Sequence, residues 1–170
     1  HRAQETRLFL QAEGRLSQQP PIGDAPPTRY LFDPNHPVPT IGGNISSGRP
    51  VMEPGGYDQR ESAEFYGSRA PYMPLATRPD VLVFQTNPLT EELEATGPIS
   101  VQLWISSSAL DTDFTAKLLD VYPPSQDYPE GYALNLTDGI LRAKFHSSWS
   151  GPELLEPGKI YPITVRLYPT

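Results

Sequence analysis

The sequence contains no cysteine, which excludes disulfides, thiolate metal sites and a cysteine nucleophile together. Stability must come from packing and hydrogen bonding. No apolar run approaches the roughly 20 residues that cross a bilayer. The first residues, HRAQETRLFL, lack the apolar centre and small-residue cleavage site of a signal peptide. A soluble chain of unassigned compartment is expected. Positive charge is scarce: 13 Lys and Arg against 20 Asp and Glu give a net charge of −7. With no dense basic stretch, neither nucleic acid nor an anionic membrane is an expected partner. Helical spacing of apolar residues is rare too.

Proline is abundant, at 21 of 170 residues beside 13 glycines, and many short extended segments follow from that. Between 20 and 56 the prolines fix φ and withhold donors from any ladder. Tyr30, Leu31, Phe32, Val38 and Ile41 lie among them, so an ordered strap rather than a solvated linker is expected. The length suits one domain, with an N-terminal strand and Pro-rich strap over 1–56, an insertion over 57–79 and a sandwich core over 80–170. Alternation over Thr6 to Ala12 predicts the first strand. The segment Asp58 to Gly67, with Asp58 as N-cap and Gly67 as stop, predicts a helix of about two turns.

Beyond the insertion the pattern changes to β. The run from Asp80 to Thr86 is apolar on both faces, as in a strand covered on both sides. Ile99, Val101, Leu103 and Ile105 alternate with polar neighbours and Trp104; Phe114, Ala116 and Leu118 do the same, as do Ile163, Val165 and Leu167. Asp138 and Gly139 suit the centre of a type I′ turn, which predicts a hairpin from Tyr132 to Phe145 with Leu136 opposite Leu141, Leu134 opposite Ala143 and Tyr132 opposite Phe145. An all-β, two-sheet sandwich is the expected fold.

Chemistry is hard to find. The hydrolase pattern G-x-S-x-G is absent, and GGNISSG at Gly42 to Gly48 has the wrong spacing and no strand before it. Of three histidines, His1 is terminal, His36 lies among prolines, and His146 ends a predicted strand beside Ser147 and Ser148, where an ordinary surface role is expected. Asp111 and Asp113 fall short of the about six to eight oxygens that calcium wants. They read instead as turn residues, Asp111 capping and Asp113 accepting hydrogen bonds or pairing with an Arg. Glu91, Glu92 and Glu94 read as a solvated loop. Asn44-Ile45-Ser46 and Asn135-Leu136-Thr137 match the glycosylation acceptor pattern, the second inside the predicted hairpin. Trp104, Trp149 and Tyr57 are placed to stack on a ligand such as a sugar or to pack on another domain. No catalytic residue, cofactor or metal ligand is expected.

Several stretches together, YLFDPNHPVPTIGG (30–43), RPDVLVFQTNPLTEELEATGP (78–98), SSSALDTDFTAKLLDVYP (106–123), LTDGILRAKF (136–145) and PGKIYPITVRLYPT (157–170), resemble the C-terminal domain of the X-Pro dipeptidyl-peptidase, cocaine esterase and α-amino acid ester hydrolase family. The resemblance implies a jelly-roll sandwich, similar to galactose-binding domains, that packs on an α/β-hydrolase catalytic domain of the same parent and helps shape its substrate entrance. The parent would be a serine hydrolase acting on esters or X-Pro peptides, its triad outside this chain. The family pattern continues past ITVRLYPT, so final strands would be missing and open edges prone to pairing, which adds a homo-oligomer to the expected partners. An independent carbohydrate-binding module is the alternative that fold alone leaves open.

Overall fold

The computed structural model describes residues 4–44, 48 and 54–170. They form two compact units: one of residues up to Thr40 together with Gln59–Ala95, the other of Ile41–Asp58 and Thr96–Thr170. His1 lies outside the described residues, and so do Ile45, Ser46 and Ser47 of the GGNISSG stretch.

The second unit is all-β. Strand β3 (Ile99–Ile105) pairs antiparallel with β6 (Tyr161–Leu167), and β4 (Asp113–Tyr122) pairs antiparallel with β5 (Tyr132–Arg142). Alternate residues of each strand point inward, as their period of two requires. Leu141, Ile163, Val165 and Leu167 are buried, with Ile99, Val101, Leu103, Phe114, Ala116 and Leu118 packed around them. A second cluster of Ala143, Leu155 and Tyr161 extends this core past the strand ends. The antiparallel ribbons meet through these inward faces, as in a β-sandwich.

The predicted hairpin at Asp138-Gly139 is overturned. β5 runs through both residues without turning, Asp138 lying opposite Lys117 and Gly139 opposite Ala116. Leu141 pairs with Phe114, Leu134 with Asp120 and Tyr132 with Tyr122, while Ala143 and Phe145 belong to a 3₁₀ turn. Gly139 has no positive φ. Its need for glycine comes from β6, because a Cβ there would overlap the Arg166 carbonyl oxygen. The hairpin turn lies instead in Pro123–Gly131, where Gly131 takes φ +78 and the Gly131 N–H donates to Tyr128 O at 2.9 Å.

One irregularity interrupts the β4–β5 ladder. Leu118 pairs with Thr137 but Leu119 with Asn135, so Leu136 is an extra, outward residue, a β-bulge. An unbroken period of two would send Asn135 and Asp138 to opposite faces. The bulge places both on the face of Lys117.

The first unit contains little regular structure. β1 (Phe9–Leu10) and β2 (Leu16–Ser17) pair through two residues each, so the strand expected over Thr6 to Ala12 is cut to two residues by the 3₁₀ turn Ala12–Gly14. No helix forms over 58–67. Glu61 N–H donates to Met73 O and Leu75 N–H to Gln59 O, an extended pairing that competes with helical bonds. Asp58 caps no helix; in the second unit its Oδ1 accepts from Ala133 N–H at 2.9 Å. The apolar run 80–86 is not a strand either. Its backbone is held only at Val81, whose N–H donates to Arg78 O, and at Gln85, which donates to Gly14 O, accepts from Leu16 N–H and forms an isolated parallel bridge with Arg15; Leu82 and Val83 are exposed.

Candidate functional site

The connection from β3 to β4 is a clamp around one guanidinium. Arg142, the last residue of β5, donates from Nε to Asp111 Oδ2 at 2.7 Å and from Nη1 to Asp113 Oδ2 at 3.0 Å. Asp111 Oδ1 also accepts the Lys144 N–H at 3.0 Å. Burial pushes the Asp111 carboxyl up, but the bonds from Arg142 and Lys144 outweigh it and leave the group below the usual carboxylate range. Such a site holds a loop; it offers no free base.

A hydroxyl, an imidazole and a carboxylate do come together after β5. Ser147 Oγ donates to Glu153 Oε2 at 3.2 Å, and His146 Nε2 lies 3.8 Å from the same oxygen. The imidazole Nδ1–H donates to Ala143 O at 3.0 Å, and the ring sits edge-on to Tyr161. A nucleophilic relay needs the hydroxyl to give its proton to the imidazole, with the acid behind the ring. Here hydroxyl and imidazole both address the acid, so the trio is no relay. Sequence reading singled out His146 and its serines but missed Glu153, which no local pattern marks.

In the first unit Arg78 organises a polar clasp. Its Nε and Nη2 bind Asp80 Oδ1 and Oδ2 at 2.9 and 2.8 Å, Nη2 also reaches His36 O at 2.8 Å, and Nη1 lies 3.1 Å from His36 Nε2. A guanidinium accepts nothing, so Nε2 is the acceptor and the ring proton sits on Nδ1. The Arg78 and Asp80 side chains are only 12% and 6% exposed. Hydrogen bonding from Arg78 holds the Asp80 carboxyl below its ordinary range, while burial and the Asp80 charge push the Tyr30 phenol up. Sequence reading takes Asp80 as the first residue of a strand and RPD as the opening of a family-like stretch. Its chemistry becomes visible once His36 is brought beside it.

The aromatic candidates scatter. Trp104 is 79% exposed on β3 opposite Pro162. Trp149, 69% exposed, stacks on Phe145 with centroids 5.7 Å apart. Tyr57 is half-buried, its ring against Gly42 and Gly55. Among the described residues no group of three or more His, Asp or Glu is placed to hold a metal, and no helix is long and apolar enough to cross a membrane. A groove of about 400 Å³ in the first unit is lined by Arg15, Leu16, Ser17, Gln18, Gln19 and Asn87, which include no acid and base pair.

These features describe a framework, and comparison with known proteins says which one. The family model of the X-Pro dipeptidyl-peptidase C-terminal non-catalytic domain matches residues 1–170. The chain belongs to that family. This C-terminal domain is 39% identical over 141 residues to cocaine esterase of Rhodococcus sp. (strain MB1 Bresler), a match covering 83% of the chain and 21% of the esterase. Among solved structures it is similar to an α-amino acid ester hydrolase labelled with selenomethionine, with TM-score 0.70 and 34% identity over 95% of this chain and 25% of that one. It is also similar to an aminopeptidase from the marine sediment archaeon Thaumarchaeota archaeon, with TM-score 0.71 and 27% identity over 96% of this chain and 26% of that one. The domain thus spans about a fifth to a quarter of the length of these relatives.

Proposed function

We propose that this C-terminal domain is a jelly-roll accessory module that packs on the α/β-hydrolase domain of its parent, helps shape the substrate entrance and positions it for hydrolysis of esters or X-Pro peptides. Such a module acts through placement, to which rates are sensitive at the ångström scale. One observation carries the reading. Leu31 and Phe32 are exposed, Leu31 at 88%, although the segment just beyond them is fixed by the Arg78 clasp at His36. An ordered strap that displays large apolar groups supports a surface meant to be covered.

The test uses the full-length protein. Leu31→Glu with Phe32→Glu is expected to lower the melting temperature of the whole and to reduce kcat/KM at least several-fold on p-nitrophenyl esters or X-Pro amides. Unchanged melting together with unchanged turnover would sink the reading. The alternative, an independent carbohydrate-binding module, draws on the exposure of Trp104 and Trp149; it requires saturable glycan binding that Trp104→Ala or Trp149→Ala removes.

A further inference from the structure

The face of the β4–β5 ribbon away from the apolar core carries a small buried polar cluster that the accessory role does not use. Lys117 and Asp138 are direct cross-strand partners, with Lys117 Nζ 3.6 Å from Asp138 Oδ2. The bulge at Leu136 brings Asn135 to the same face, and its Nδ2 donates to the same Asp138 oxygen at 3.4 Å. Asn135 is 4% exposed. Backbone closes over the cluster: a Cβ at Gly43 would overlap Asp138 Oδ2, and Gly43 is itself tied to Gly55 by a reciprocal pair of backbone hydrogen bonds.

Two atoms of this cluster are left without a hydrogen bond, although Lys117 Nζ keeps its ion pair with Asp138. Lys117 Nζ is buried with no hydrogen bond, and so is Asn135 Oδ1. Leaving such groups unsatisfied is costly. An amine, a carboxamide and a carboxylate held together away from water are also the components of an amide exchange. Burial pushes the Lys117 ammonium down, the Asp138 charge opposing it only in part, which favours the uncharged, nucleophilic amine.

We propose that Lys117 and Asn135 are joined by an intramolecular isopeptide bond, formed by the folded chain with Asp138 as the proton carrier. The Lys117 Nζ lone pair attacks Asn135 Cγ, and the carbonyl becomes a tetrahedral oxyanion. Asp138 Oδ2 takes a proton from Nζ and delivers it to Nδ2. The Cγ–Nδ2 bond then breaks, ammonia leaves, and a Nζ–Cγ amide remains. Atoms balance with no oxidant or co-reactant, since amine plus carboxamide gives substituted amide plus ammonia. The product replaces a buried potential charge with a neutral link and fastens β4 to β5 across the bulge, where the ladder is weakest.

The experiment is a mass measurement on the full-length protein, denatured and digested with trypsin. Cleavage after Lys117 is expected to be lost, and the uncut peptide carrying both residues should be lighter than its sequence by one ammonia. Asp138→Asn, which preserves shape but accepts no proton, should restore the full mass and the cut, as should Lys117→Arg. The wild-type measurement stands even if a variant fails to fold. Ordinary cleavage after Lys117 at unchanged mass would overturn the proposal. So would a peptide lighter by one water, which would move the bond to Asp138 and remove Asn135 from the chemistry.

Discussion

The unit containing 96–170 and the unit containing 59–95 reach order by different routes. In the former, four strands with alternating burial surround Leu141, Ile163, Val165 and Leu167, and the Arg142 clamp lies at the margin, with Arg142 and Asp113 close to half exposed. In the latter, large apolar residues such as Leu31, Leu82 and Val83 remain at the surface, and the anchor is an ion pair almost removed from water. A sheet needs hydrophobic burial to offset backbone entropy. A strap whose φ angles are already limited by proline has less entropy to lose, and a few charge-assisted bonds suffice to fix it.

This contrast can be broken at its strongest point. Arg78→Ala strands the Asp80 carboxylate, a loss of about 3–5 kcal/mol for a buried pair; hydrogen exchange should accelerate at Val81 and Gln85 while β3 and β6 stay protected. Arg78→Met combined with Asp80→Leu should recover most of the loss. Next comes the core: Ile163→Ala should cost about 2–5 kcal/mol and, unlike Arg78→Ala, accelerate exchange throughout β3 and β6. Equal loosening of all segments by both changes would erase the distinction. Gly139→Ala should cost about 1–3 kcal/mol through overpacking against β6, measured by urea denaturation.

Acid sharpens the comparison further. Arg78 holds the folded Asp80 carboxyl low, so its contribution is complete above the ordinary carboxylate range and disappears as pH falls through the depressed folded value. The pH of half-unfolding should rise on Asp80→Asn if the clasp governs acid stability. The smallest effect is expected from Arg142→Ala, because exposed pairs are screened and solvated; thermal melting should scarcely move, and a drop as large as that of Ile163→Ala would contradict the marginal role given to the clamp.

How much of this was legible depends on the range of the interaction. The alternation in 99–105, 113–118 and 163–167 reports side-chain direction within one strand, and the structure places those residues as the pattern demands. Asp138-Gly139 misled because two distant causes imitate a local one: Gly139 makes room for the Arg166 carbonyl and Asp138 faces Lys117, yet the dipeptide reads as a turn. The helix over 58–67 and the strand over 80–86 failed similarly, overridden by pairing with 73–75 and by the clasp. The resemblance to the X-Pro dipeptidyl-peptidase C-terminal domain succeeded because ordered motifs carry information that periodicity does not.

Leu136 gives the second unit an unusual arithmetic. Remove that single residue, and everything from Tyr132 to Asn135 would rotate by half a turn of the pleat, sending the asparagine to the wrong side of the ribbon and its neighbours into places shaped for others. Chain length, counted to one residue, is therefore as stringent a requirement here as the identity of any side chain.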